Sequence, residues 1–168
     1  MLDALLNRRS IRHYTPEPVT KEQLELLLRA AMAAPSAHNR QPWHFIVVTD
    51  RALLDGIPDI HPYSLMLKEA SAAIVVCGEL AQEKTKGFWV QDCSAATQNI
   101  LTAAQELGLG AVWLGVYPVQ GLVKKVIAMF GIPGGVIPLG MVSVGHPAEQ
   151  KEPANRFNPE RIHENRWA

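Results

Sequence analysis

One stretch limits the possible folds more than any other. Between about residues 88 and 107, Val90, Cys93, Thr97, Ile100, Leu101 and Ala104 fall on one face of a single long helix. Gly108 is its natural stop. Small side chains at Ala95, Ala96, Ala103 and Ala104 permit close packing along that helix.

Shorter segments surround it. Runs rich in β-branched residues at 45–48, 73–77, 111–116 and 136–144 read as strands. Thr20 and Gln23 form a capping-box pattern, and Leu24, Leu27, Leu28 and Ala31 then recur at helical spacing, closing before Pro35. A further helix is expected at 119–130, ended by Gly131 and Pro133. Asp50 is expected to cap a brief helix, while residues 55–63 are rich in turn formers. At the front, Leu2, Leu5 and Leu6 suit a short amphipathic helix ending near residues 10–13, stopped by Pro16 and Pro18. The order is mixed α and β.

A length of 168 residues suits one hydrophobic core, so the reading is a single domain, 1–168. Residues 146–168 are polar, proline-containing and irregular, yet they carry Phe157, Ile162 and Trp167. Such a tail makes no core of its own; side chains so spaced are expected to lie along a hydrophobic surface, that of another subunit included.

Sixteen basic residues balance sixteen acidic ones, so no overall field draws in nucleic acid or an anionic membrane. Any anion site must be local. No apolar run approaches the roughly 20 residues that span a bilayer, and the front segment carries Asp3 without an apolar h-region; a cytoplasmic protein is expected. Cys77 and Cys93 lie in apolar surroundings and read as buried free thiols. The six histidines are scattered singly, without metal-ligand spacing, and no metal is assigned.

Chemistry concentrates in two places. Arg8, Arg9, Ser10 and Arg12 pack three guanidinium groups and a hydroxyl into five positions; on a helix, Arg8 and Arg12 would share one face about 6 Å apart. Guanidinium forks match phosphate oxygens in charge and shape, although a basic helix end also complements the helix dipole. The loop 35–43 is the second place. Its Asn39 and Gln41 amides can meet a planar heterocycle's edge, and turn formation accounts for the same composition.

Other chemistries fail on inspection. The Gly108-Leu109-Gly110 turn has Trp113 where a dinucleotide fingerprint needs its third glycine, and it follows a helix rather than a strand. No G-x-S-x-G is present, neither cysteine has a local activating group, and Asp50 and Asp55 read as helix-end and surface acids.

Taken in order, Arg8-Arg9-Ser10-Ile11-Arg12-His13-Tyr14, Ala34-Pro35-Ser36-Ala37-His38-Asn39-Arg40-Gln41-Pro42-Trp43, Glu106-Leu107-Gly108-Leu109-Gly110, Trp113-Leu114-Gly115 and Asn155-Arg156-Phe157 resemble the nitroreductase family. The likeness spans nearly the whole chain. It implies an α+β fold with a central mixed, mostly antiparallel sheet flanked by helices, assembled as an intertwined homodimer with FMN held non-covalently at the subunit interface. It further implies that Arg8, Arg9, Ser10, Arg12 and Arg156 hold the FMN phosphate and part of the flavin. Ser36, Asn39 and Gln41 of the other subunit would meet the ribityl chain and ring edge, with Leu114 and Gly115 beside the isoalloxazine. Missing bulk at Gly115 would let the backbone approach the ring.

The implied activity passes hydride from NADH or NADPH through FMN to a small electron acceptor such as a nitro compound or quinone, with no catalytic side chain named. A specialised relative (dehalogenation, ene reduction or flavin breakdown) and a low-turnover flavin-binding protein remain open beside it. Between Asp50 and Ala73, and between Gly78 and Phe88, there is little room for an inserted lid, so the acceptor pocket is expected to be open or completed by the partner. Tyr63, Phe88 and Trp89 are candidate linings.

Overall fold

A computed structural model describes residues 2–167 of the chain. Its centre is a four-stranded sheet in the order β1-β2-β4-β3, built from β1 (Trp43–Val48), β2 (Ala72–Glu79), β3 (Gly110–Gly115) and β4 (Val136–Gly145). All three neighbouring pairs run antiparallel. Among the described residues the one parallel contact is an isolated bridge from Ser10, itself outside the four strands, to Ala111 of β3. The α+β expectation is met, and that bridge alone makes the sheet mixed.

Helices cover both faces because strand side chains alternate. Ala72, Ile74 and Val76 of β2 join the cluster with α2 (Lys21–Met32) and α4 (Phe88–Glu106), whereas Ala73, Val75 and Cys77 join the cluster with α3 (Arg51–Ile60) and α5 (Gln120–Phe130). Ala72 through Gly78 are buried, as a strand sandwiched on both faces requires. The long helix α4 lies across one face and packs most extensively on α2.

Local chemistry sets most boundaries. The Thr20 hydroxyl accepts from the Gln23 amide at 3.2 Å, and the Thr20 amide donates back to Gln23 Oε1 at 2.9 Å. Asp50 Oδ1 accepts from the Leu53 amide at 2.9 Å and starts α3. Gly131, at φ 62°, ends α5. Helix α3 is longer than the sequence led us to expect, running through Gly56 and Pro58 to Ile60. Leu54 and Ile57 explain it: both are fully buried on one face, and that burial outweighs the weak helix propensity between them.

The front of the chain departs further. Helix α1 (Leu2–Asn7) stops before the arginines. Residues 8–15 run extended, so Arg8 and Arg12 do not share a helix face. Both cysteines are buried and free, with Cys93 Sγ 3.5 Å from the Cys77 carbonyl; burial pushes each thiol up to about 12. Among the described residues no helix is long and apolar enough to cross a membrane.

Where β2 meets α4 the packing leaves no slack. A Cβ at Gly78 would fall inside the contact radius of the buried Trp89 ring and 3.3 Å from Cys93 Sγ. Gly78→Ala should therefore cost about 1–3 kcal/mol by overpacking. Thermal unfolding checks this, with the midpoint expected several degrees lower; an unchanged midpoint would show that the ring can move aside.

Candidate functional site

The arginine segment is held as an extra strand on the outer edge of β3. The Ile11 amide donates to the Ala111 carbonyl at 3.0 Å, and on its other side Thr15 N donates to His146 O and Ala148 N to His13 O, each at 2.9 Å. Tyr14 locks it from below: its buried hydroxyl donates to Ile11 O at 2.8 Å and accepts from Ser143 Oγ at 2.8 Å. Burial is the chief cause that raises the Tyr14 pKa well above the ordinary phenol value, so this hydroxyl keeps its proton.

That clamp gathers positive charge without neutralising it. Arg8 lies half-buried, and burial, followed by the charges of Arg156 and Arg9, lowers its pKa from the ordinary arginine value. Among the described residues no carboxylate stands within ion-pair distance of Arg8, Arg9, Arg12 or Arg156. A bound anion would relieve this arrangement, and guanidinium forks favour phosphate.

A cleft of about 580 Å³ opens along the end of β3, lined by Arg12, His61, Tyr63, Met66, Trp113, Leu114 and Gly115 among others. Ala111 O is taken by Ile11 and Gly115 O by His61 Nε2 at 2.9 Å. Strand alternation then turns the amides of Trp113 and Gly115 toward the same open edge. A Cβ at Gly115 would meet nothing within 4 Å, so nothing in this chain demands glycine there; the missing side chain leaves room in the cleft.

His61 was not singled out from the sequence. It is 3% exposed at the C-terminal end of α3, and both ring nitrogens are engaged: Nε2 donates to Gly115 O, and Nδ1 accepts from the Tyr63 amide at 3.3 Å. A lone histidine in a turn-rich run carries no spacing signal, because its partner lies on a distant strand. Tyr63 does line the cleft as expected, whereas Trp89 is buried edge-on against Tyr117 and Phe88 is not among the lining residues.

The second predicted locus is a built loop. His38, Asn39 and Gln41 have φ of 54°, 54° and 49°, a conformation that costs non-glycine residues about 1–3 kcal/mol each. Holding it are Ser36 Oγ, which accepts from Gln41 N at 2.9 Å, Asn39 Oδ1, which accepts from Gln41 Nε2 at 2.9 Å, and Asp92 Oδ1, which accepts from Ala37 N at 2.9 Å. Asp92 is buried and was missed, though a signal existed: it is an acid one position before Cys93 on the apolar face of α4.

The chain thus brings Arg12, Leu114 and Gly115 to one cleft, and separately groups Arg8 with Arg9 and Arg156; Ser10 lies in the same segment as the first three arginines. It does not bring Ser36, Asn39 and Gln41 to them. Their loop leads into β1, and β1 and β3 are opposite edges of the sheet, about 14 Å apart by three strand spacings. Arg51 donates to the carbonyls of Leu67 and Ala70 and pairs with Asp55 at 3.0 Å.

The chain is thus an α+β sandwich with guanidinium groups that no described carboxylate pairs and an edge-strand cleft lined by one of them. Its comparisons with known proteins are specific. The nitroreductase family model matches residues 5–86 and 61–146. A protein of Methanothermobacter thermautotrophicus, provisionally named NADH dehydrogenase/NAD(P)H nitroreductase, is 50% identical over 99% of this chain and 87% of its own. A Parabacteroides distasonis crystal structure under the same provisional name superposes with a TM-score of 0.95 at 45% identity, covering 99% of this chain and 98% of that one. A provisionally named nitroreductase of Desulfovibrio desulfuricans, solved in complex with FMN, gives 0.85 at 31% identity over 99% and 97% of the two chains. The chain belongs to the nitroreductase family.

His61→Leu would leave the Gly115 carbonyl and the Tyr63 amide without their partner. We expect a loss of about 1–3 kcal/mol in denaturant unfolding. An unaltered unfolding free energy would show that water replaces the imidazole at no cost.

Proposed function

We propose that the chain is one subunit of a cytoplasmic, homodimeric FMN oxidoreductase that passes hydride from NADH or NADPH to a small acceptor such as a nitro compound or quinone. The observation that carries this is the grouping of Arg8 with Arg9 and Arg156, with Arg12 of the same segment lining a cleft floored by Leu114 and Gly115, none of the four guanidinium groups paired with a described carboxylate. When bound, FMN supplies the two-electron chemistry between donor and acceptor. The residues of the chain bind, orient and shield. Arg8, Arg9, Ser10, Arg12 and Arg156 hold the phosphate, Leu114 and Gly115 lie beside the ring, and the open amides of Trp113 and Gly115 offer donors along its edge.

Two copies complete the site on this reading. Ser36, Asn39 and Gln41 of the partner subunit meet the ribityl chain and ring edge, because within one chain they stand across the sheet. Unpaired apolar surface supports assembly: Leu2 is 67% exposed, Leu6 62%, Phe157 78% and Trp167 87%. Of the tail, 146–168, the start is pinned to the arginine segment of its own chain, and the part that carries these last two is read as packing on the partner.

Three measurements test the proposal. Under anaerobic conditions NADH or NADPH should bleach the visible spectrum of the flavin-loaded protein; a spectrum indifferent to both donors defeats the enzymatic reading. Arg12→Ala should weaken FMN about 10- to 100-fold by loss of a charge-assisted contact. Arg29→Ala is the control, since that exposed side chain pairs only with Glu25 on its own helix; equal losses would refute the placement. Finally, a variant lacking Arg8 and Arg12 mixed with one lacking Asn39 and Gln41 should regain FMN, because each hybrid dimer rebuilds one intact site. Failure of any mixture to recover binding would place the whole site within one chain.

A further inference from the structure

Beyond the residues that face the ligand, the backbone of the arginine segment has two side-chain partners. Lys151 Nζ donates to the Ser10 carbonyl at 2.8 Å, and Glu149 Oε1 accepts from the Arg12 amide at 2.5 Å. The two side chains pair with each other at 3.0 Å. They continue, as side chains, the clamp that His146 and Ala148 make through backbone. The Arg12 amide is also the chief cause that holds the Glu149 carboxyl below its usual range.

This arrangement is unexpected on charge grounds. Glu149 shares a groove with Arg9, yet it pairs with Lys151 and with none of the nearby guanidinium groups. A carboxylate bound to those groups would compete with a phosphate for the same donors. We propose that Glu149 and Lys151 are positioning residues for the phosphate of FMN: together they fix the extended course of Ser10 to Arg12, and Lys151 keeps the Glu149 carboxylate from quenching the arginine cluster. This rests on the FMN reading above and concerns residues that do not themselves touch the ligand.

The charge argument makes an ordered set of expectations. Lys151→Met frees an anion among the arginines and removes the hold on Ser10, so FMN should bind about tenfold or more weakly. Riboflavin, which lacks the phosphate, should bind nearly as it does to the unaltered protein. Adding Glu149→Gln to Lys151→Met removes the competing charge while leaving an amide oxygen for the Arg12 N–H, and should recover most of the lost affinity. Lys151→Arg should remain close to the unaltered protein, which keeps the test valid if Lys151→Met folds poorly.

The experiment is titration of each flavin into the apoprotein followed by quenching of flavin fluorescence, with thermal midpoints recorded alongside. A parallel loss of FMN and riboflavin affinity in Lys151→Met would overturn the proposal in favour of general loosening, as would an FMN affinity equal to that of the unaltered protein. A double variant no better than the single one would overturn the charge-shielding role. Failure of the parent reading is distinguishable: there the unaltered protein itself would show no preference for FMN over riboflavin.

Discussion

The hydrogen bond from the Ile11 amide to the Ala111 carbonyl organises more of this protein than its single 3.0 Å length suggests. It is the point at which the chain stops being helix α1 and becomes a strand on the rim of β3. By docking there, the segment covers part of an edge that would otherwise present unpaired backbone groups to any passing strand. The same act fixes where Arg8, Arg9 and Arg12 stand relative to the cleft. Tyr14, Ser143, Glu149 and Lys151 are all spent on holding that short stretch in place.

Sheet order then determines what one chain can and cannot do. With β1 and β3 at opposite edges, the strained loop before β1 and the cationic strand beside β3 never meet within a subunit. Each is nonetheless built with care. Backbone conformations that cost energy at His38, Asn39 and Gln41 persist only because Ser36 and the buried Asp92 over-determine them. On the dimer proposed above, a twofold axis would bring each of these two loci against its complement.

Much of this was legible in the sequence, for reasons that follow from locality. Capping at Thr20 and Asp50, the α4 stripe and the four β-branched runs are written in neighbouring residues, and they were read with nearly correct limits. The concentration of guanidinium groups at Arg8, Arg9 and Arg12 was legible too. Their geometry was not: Leu2, Leu5 and Leu6 announce a helix but cannot say where it ends, and what ends it is Ala111, far along the chain. His61 went unnoticed for the same reason, since it acquires its meaning from a carbonyl that only the fold brings near. Asp92 differs, because a lone acid on an apolar helical face is a local signal that could have been used.

A free-energy argument ties these features together. Burial first, and then repulsion from Arg156 and Arg9, holds Arg8 below its ordinary pKa, so keeping its charge costs the protein some stability when no anion is bound. Repulsion of that kind is tolerable only in a framework whose stability comes from elsewhere, here the doubly covered strand β2 and the two clusters it joins. A ligand bearing phosphate turns the same repulsion into attraction, and anything that binds only the folded form adds its binding free energy to stability. On the proposed function the cationic rim is therefore a cost in the free chain and a support in the loaded one, and the many neighbours that pin its segment hold it ready without movement.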